Sequence, residues 1–269
     1  MRIWGKVLGF LFGLMLSKNI FGALLGAWLG HRFDKGLGLN FNSLGGAKSE
    51  ADRQATFFYS SFSVMGYIAK ANGQVTQHEI AFATAYMDKL GLKDSLRQQA
   101  QDAFRDGKTT GFPLTERLTE LKSAVGNRQD LLLLFLEIQI QVAFADGSLD
   151  TDEREALHQI ANGLGYSAQE LDKLLEMIIA GANFHQQGQR GGNQSFAQSG
   201  EQLENAYKVL GVTKNDSASD IKKAYRKLMS QHHPDKLVAK GLPPEMMETA
   251  KQKAQDIQAA YELVSAQNK

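Results

Sequence analysis

The chain has 269 residues and a formal net charge of +1, which allows one large domain or two small domains with additional segments. This near-neutral balance gives no overall field that favours nucleic acid, so we expect no nucleic-acid partner. The absence of cysteine excludes disulfides, thiolate nucleophiles and cysteine-type zinc sites. Four prolines and long stretches rich in Ala, Leu, Gln, Lys and Glu predict an all-α protein.

After a short segment 1–6, residues 7–30 predict a transmembrane helix, since about 20 apolar residues cross a bilayer. Lys18 and Asn19 interrupt this run, and a lysine at the bilayer centre costs about 2.5–3.5 kcal/mol. The surrounding Leu, Phe and Trp residues offset that cost, so a single span in contact with lipid is favoured. A hairpin or surface-lying helix broken at Lys18-Asn19 is the structural alternative.

Small residues recur at every fourth position in both halves of the predicted span. In a helix this spacing places them on one face, where a second helix can approach closely. We therefore predict a homodimer through the transmembrane helix. The predicted dimer face consists of Gly9, Gly13, Gly22, Gly26 and Gly30.

A Gly/Asn/Ser-rich linker is predicted over residues 31–56, and a central helical domain over 57–180. Within this domain Ile68 to Glu79 matches Val142 to Glu153. Each copy has an apolar helix end, a glycine suited to positive φ, and a residue suited to cap the next helix. The repeat predicts two related helical hairpins packed together.

The second copy contains several acids, Asp146 to Glu153, whose number raises the alternative of a metal site. Their spacing does not match a calcium-binding loop, because the glycine directly follows the first aspartate. Helix capping by Asp150 explains the same residues with fewer assumptions. We therefore predict no metal site and no cofactor.

The repeat resembles that of the tellurite-resistance, TerB-like helical domain over roughly residues 57–179. The shared feature is an Ala-x-Ala-Asp-Gly turn followed by an acidic helix start. The first copy departs from it with Asn72 in place of an aspartate, and with Gln77 and His78 among the acids. Domains of this kind have no single known activity, so the resemblance implies a fold more than a function.

Residues 181–200 are rich in Gly, Gln and Ser and predict a flexible linker before a C-terminal domain over 201–269. Three helical patterns follow: a short first helix ending at Gly211, a second after the N-cap Ser217, and a third beginning at Pro243. The second and third are long enough to pack as an antiparallel pair. His233, Pro234 and Asp235 lie between them, where proline ends helical geometry.

This C-terminal pattern closely resembles the J domain of DnaJ-type co-chaperones. The matching stretches are AYKVLGV (206–212), DIKKAYRKLMSQHHPDK (220–236) and IQAAYELV (257–264). The order of span, TerB-like block and J domain resembles that of membrane-anchored DnaJ-type co-chaperones. The resemblance implies a DnaK-class ATP-driven chaperone as the partner, with His233, Pro234 and Asp235 supplying the activating contact.

The predicted partner-binding surface also includes a row of cations on the second helix, which would steer the domain toward an acidic patch. These are Lys222, Lys223, Arg226 and Lys227. No catalytic residues are predicted: no nucleophile, third orienting group or phosphate loop accompanies His233 and Asp235. The protein is therefore expected to regulate a partner ATPase and not to be an enzyme itself.

Because a DnaK-class partner and its ATP are cytosolic, the resemblance implies a bacterial inner-membrane protein with a periplasmic N-terminus and a cytoplasmic bulk. The client is unknown. Two other functions stay open: a metal- or tellurite-stress binding protein that uses the TerB-like domain, and a membrane dimerisation or signalling scaffold.

Overall fold

The computed structural model describes residues 49–71, 73, 77–145, 147–189 and 196–267, with the side chains of 78, 79, 185–189 and 196–199 excepted. The predicted span 7–30, its glycine face and the predicted linker up to residue 48 lie outside these ranges. Within them, no helix combines the length and the hydropathy that a membrane crossing requires. The described secondary structure consists of helices joined by turns, which confirms the all-α prediction.

Seven α-helices of the described chain form the central domain. They are α1 (Glu50–Ile68), α2 (Gln77–Lys89), α3 (Asp94–Gly107), α4 (Leu114–Val125), α5 (Gln129–Ala143), α6 (Thr151–Leu164) and α7 (Ala168–Gln189). Helix α1 begins earlier than the predicted domain boundary at 57, because Ser49 caps it: the Asp52 N–H donates to Ser49 Oγ at 3.1 Å. Its partner α3 lies so close that a Cβ on Gly66 would overlap the Phe104 carbonyl.

Helix α5 is the centre of this domain. Its sequence is apolar on nearly all sides, which is typical of a helix surrounded by others. It packs against α1, α6 and α7, and Phe135 meets Phe57 edge to face with ring centroids 6.0 Å apart. Both rings are fully buried, so this contact anchors the core of the domain.

The two copies of the internal repeat form the turns that end α1 and α5. Gly73 and Gly147 both adopt positive φ, at 85° and 89°, as the repeat predicts. In the second copy Asp150 caps α6 through a capping box: Glu153 N–H donates to Asp150 Oδ1, and Asp150 N–H donates to Glu153 Oε2. The capping role predicted for Asp150 is therefore confirmed. The corresponding cap residue of the first copy, Thr76, lies outside the described residues.

The segment predicted as a flexible linker is largely helical where it is described. Helix α7 continues to Gln189, and the next helix, α8, begins at Phe196. The two helices pack against each other, and Ala180 and Phe184 of α7 share an apolar cluster with Tyr207 of α8. The linker prediction for 181–200 therefore needs correction at 181–189 and 196–200, where the chain is helical and Phe184 of α7 is buried in a cluster shared with α8.

The C-terminal domain follows in a second group of helices. They are α8 (Phe196–Leu210), α9 (Ala218–His232), the short α10 (Pro234–Ala239), a 3-10 turn (Pro244–Met246) and α11 (Met247–Gln267). Helix α11 packs against both α8 and α9, as expected for the predicted pair with the first helix alongside. Tyr225 of α9 and Tyr261 of α11 stack with centroids 4.1 Å apart.

The connection between α9 and α11 differs from the prediction in two ways. Helix α10 is an additional element, and α11 begins at Met247 after the 3-10 turn, not at Pro243. Pro234 explains the first difference: a proline that ends one helix is also suited to the first position of the next. Met247, the first residue of α11, is 44% exposed.

Candidate functional site

His233, Pro234 and Asp235 form a sharp corner between two helices, which we call the His-Pro-Asp turn. Helix α9 starts at its cap Ser217, whose Oγ accepts the Asp220 N–H at 3.1 Å, and ends at His232. His233 alone is extended, with φ −64° and ψ 122°, and Pro234 begins α10. A residue that precedes proline avoids the helical region, so the sequence itself produces this corner.

The His-Pro-Asp turn is partly accessible to solvent. Asp235 and Lys236 are exposed, whereas His233 and Pro234 are half-buried. The Lys236 ammonium donates to Ser230 Oγ at 3.0 Å and so bridges the corner. The structure therefore brings the three predicted residues together with the carboxylate of Asp235 pointing to solvent.

The four predicted cations of α9 form one exposed surface, which we call the basic face. Lys222, Lys223, Arg226 and Lys227 are all exposed, and none has an ion-pair partner within the described ranges. The opposite side of α9 carries buried apolar residues such as Ile221 and Leu228. The basic face and Asp235 are therefore both open to a binding partner.

A second group of charges, absent from the sequence predictions, lies between the two domains, and we call it the junction. On α5, Glu137 is 2% exposed and its Oε1 lies 3.2 Å from the Lys253 ammonium of α11. The other oxygen, Oε2, lies 3.5 Å from Nδ1 of His232. At the start of α5, the Asp130 carboxylate accepts a hydrogen bond from the Lys240 ammonium.

Burial favours the neutral form of His232 in the junction. Burial lowers the pKa of His232 below its ordinary value of 6.5, and Lys253 lowers it further, whereas the carboxylates of Glu137 and Asp130 oppose the shift. The imidazole of His232 lies close to the Glu137 carboxylate, but the two groups do not have hydrogen-bond geometry. Lys253 is therefore the cation that balances the buried charge of Glu137.

Apolar contacts complete the junction. Leu237 and Leu242, which follow the His-Pro-Asp turn, belong to the same buried cluster as the core of the central domain, together with Met246 and Ala250. The hydroxyl groups of Tyr86 on α2 and Thr249 on α11 share a buried hydrogen bond of 3.1 Å. Burial raises the pKa of Tyr86 to about 12, so its hydroxyl stays protonated.

One signal in the sequence points to the junction. Glu137 is the one acid within the apolar run LLLLFLEIQIQVA (131–143) of α5. A carboxylate in such a run is almost never fully buried unless a cation or a hydrogen-bond donor accompanies it. This signal indicates that Glu137 has a cationic partner. It does not identify which of the 30 lysines and arginines is that partner.

The central domain also has an open groove of about 340 Å³ near the end of α1. Its wall includes the rings of Tyr67 and Phe112, whose centroids are 5.9 Å apart, beside the charged Lys70, Asp152 and Glu155. Over the part of the chain that the structure describes, no three potential metal-ligating side chains gather in one place. The groove thus combines aromatic surface with charges of both signs.

Three family models match successive parts of the chain. Residues 1–42 match the co-chaperone DjlA transmembrane domain, residues 59–176 the tellurite resistance protein TerB, and residues 205–269 the DnaJ domain. These matches follow the order of segments predicted from the sequence. The TerB-like and J-domain resemblances are therefore confirmed.

Curated relatives match over nearly the whole chain. The co-chaperone protein DjlA of Photobacterium profundum is 51% identical over 271 residues, 97% of this chain and 98% of that protein. DjlA of Vibrio cholerae is also 51% identical, over 98% of both chains, and DjlA of Escherichia coli K12 is 48% identical over 99% of this chain and 98% of its own. No solved structure matches. The chain belongs to the DjlA family of J-domain co-chaperones.

Proposed function

We propose that this co-chaperone stimulates ATP hydrolysis by a DnaK-class chaperone through His233, Pro234 and Asp235. The observation that carries the proposal is the corner between α9 and α10, which presents the exposed Asp235 next to the exposed basic face. A J domain implies a DnaK-class partner and makes the chain a regulator of that partner, not an enzyme in its own right.

The proposed mechanism is a population shift in the partner. The J domain binds the ATP-bound chaperone and favours the arrangement in which the chaperone's own active site hydrolyses ATP. Only a difference in affinity between the two arrangements can produce that shift. The negatively charged carboxylate of Asp235 contacts the chaperone, and His233 and Pro234 fix the position of that carboxylate.

The basic face has a separate role in the proposal. Its four cations attract an acidic patch on the chaperone and raise the rate of association. Such exposed charges act over about 8–10 Å at ordinary ionic strength, so this part of the binding weakens with added salt.

The location is also proposed. Residues 7–30 would cross the bacterial inner membrane once, with the N-terminus in the periplasm and the J domain beside the cytosolic chaperone. The glycine face of that segment would join two copies. The aromatic and charged groove of the central domain is one concave surface available to an unidentified client.

The activity is tested with the full chain in lipid nanodiscs, added to a DnaK-class chaperone in single-turnover ATP hydrolysis. We expect wild type to accelerate hydrolysis and His233→Gln to abolish the acceleration. His158→Gln on α6 makes the same chemical change in the central domain and is the matched control, which should act as wild type does. Absence of stimulation by wild type, or full stimulation by His233→Gln, contradicts the proposal.

The topology is tested by labelling single cysteines, because the natural chain has none. A membrane-impermeant maleimide should label Arg2→Cys in intact spheroplasts and Asn215→Cys only after lysis. The reverse pattern would place the J domain on the wrong side of the membrane for a cytosolic partner.

A further inference from the structure

The His-Pro-Asp turn is anchored on both sides to the central domain. His232, directly before it, is 1% exposed and lies against Glu137 of α5. Leu237, two residues after Asp235, is fully buried in the core cluster of the central domain. Both ends of the corner are therefore fixed by residues of another domain, and not by the J domain alone.

Charge pairing gives this anchoring a defined geometry. Glu137 is buried with Lys253, and Asp130, which is 8% exposed, is paired with Lys240. A buried carboxylate that loses its cation is left with an uncompensated charge, which is strongly unfavourable. Sliding or rotating the J domain on α5 would separate these pairs, so the junction favours one relative arrangement.

The junction leaves Asp235 and the basic face exposed, whereas His233 and Pro234 are half-buried. The residues it uses, His232, Lys240 and Lys253, differ from those of the basic face, which is exposed along with Asp235. A contact that served to mask the J domain would cover those groups. The observed contact holds the turn from the side of the central domain and leaves Asp235 exposed to solvent.

We propose that Glu137 and Asp130 of the central domain are positioning residues for the His-Pro-Asp turn, so that both domains together form the surface that activates the chaperone. This inference rests on the proposed function. It assigns the central domain a direct part in ATPase stimulation, in addition to any role with a client.

The first test measures single-turnover ATP hydrolysis against concentration of the full chain in nanodiscs. Glu137→Gln should lower the maximal stimulation about fivefold, the lower end of typical coupling between sites. The half-saturating concentration should change little, because the basic face stays exposed. The control is Asp172→Asn, which removes a carboxylate from the exposed Arg154–Asp172 pair within the central domain.

A charge swap separates positioning from general damage. Asp130→Lys and Lys240→Asp should each lower maximal stimulation, and the double variant should restore it because the pair forms again with its signs exchanged. Lys240 is 44% exposed, so Lys240→Asp should perturb folding less than changes at Glu137. Equal activity of both single variants and wild type would refute the inference.

Cross-linking distinguishes positioning from masking. The chain has no cysteine, so Asp130→Cys with Lys240→Cys gives one defined pair for a short bis-maleimide. The locked protein should stimulate the chaperone at least as well as the same variant before cross-linking. Loss of stimulation on locking, or a gain from Glu137→Gln, would show that the junction masks the J domain and would overturn the proposal.

Failure of this inference is distinct from failure of the proposed function. If wild type does not stimulate, or His233→Gln stimulates fully, the proposed function fails. If those two results are as expected and the Glu137 and Asp130 variants still match wild type, the J domain acts without the central domain and only this inference fails.

Discussion

The two sides of the J domain carry similar cations in opposite environments. On the outer side the basic face of α9 is exposed to solvent, whereas on the inner side Lys240 and Lys253 pair with carboxylates of α5. A sequence shows lysines and arginines on both sides without distinguishing them. The comparison teaches that the presence of a cation does not identify a binding surface. A cation that is paired with a carboxylate of the same chain forms an internal contact, whereas an unpaired and exposed cation is available to a binding partner.

Leu237→Ala should have the largest effect on stability, because it breaks the apolar part of the inner side. The side chain is fully buried, and such a truncation costs about 4 kcal/mol of unfolding free energy. Since Leu237 belongs to the core of the central domain, both domains should unfold in a single transition on chemical denaturation, and its midpoint should shift to lower denaturant concentration in the variant. Two separate transitions, with the central domain unchanged, would contradict a shared core.

Lys253→Met should have the second largest effect on stability. It should lower the unfolding free energy by about 3 kcal/mol, because it leaves Glu137 buried without its cation. Methionine keeps most of the aliphatic length, so the change mainly removes the charge. Adding Glu137→Leu should recover most of the loss, since a matched apolar pair avoids the desolvation of both charges. A double-mutant cycle by urea denaturation gives the coupling, and additive effects would show that the two side chains do not interact.

Tyr86→Phe should lower the unfolding free energy by about 1 kcal/mol, the typical net contribution of one buried hydrogen bond. It removes the hydroxyl that contacts Thr249 and leaves the ring in place. Thermal unfolding measures the loss. Tyr261→Phe is the control, because that ring stacks on Tyr225 within the J domain and should contribute nothing to the contact between domains.

The basic face should contribute least to stability. Replacing its four cations with glutamine should change the unfolding free energy by less than about 0.5 kcal/mol per position, as for most exposed positions. The same variant should associate with the chaperone about tenfold more slowly in stopped-flow binding at low salt, and the difference should shrink at high salt. A large loss of stability would mean that these cations have internal partners.

Local patterns were sufficient to predict the helix caps and the helix end at Pro234, but not helix α10 or the start of α11. Ser217 and Asp150 are recognisable as caps because an N-cap depends only on residues three positions away. Pro234 is recognisable as a helix end for the same reason. The corner and the basic face follow from these local rules together with helical periodicity.

The junction could not be predicted because it depends on distant residues. Asp130 and Lys240 are 110 positions apart, and Tyr86 and Thr249 are 163 apart. Helix α7 extends into the Gln-rich segment for a related reason: it packs against α8, and tertiary contacts override the low apolar content of that stretch. The acid Glu137 in an apolar run indicates that a cation or hydrogen-bond donor accompanies it, but the sequence does not identify that residue.

A single residue, His233, separates α9 from α10, so its two backbone dihedral angles set the angle between these helices. The proline ring after it disfavours the value of ψ that would let α9 continue unbroken. Without this bend, a continuous α9 would carry Leu237 away from its place among the central helices. The proline of the motif thus determines how two neighbouring domains fit together, as well as the shape of the loop in which it lies.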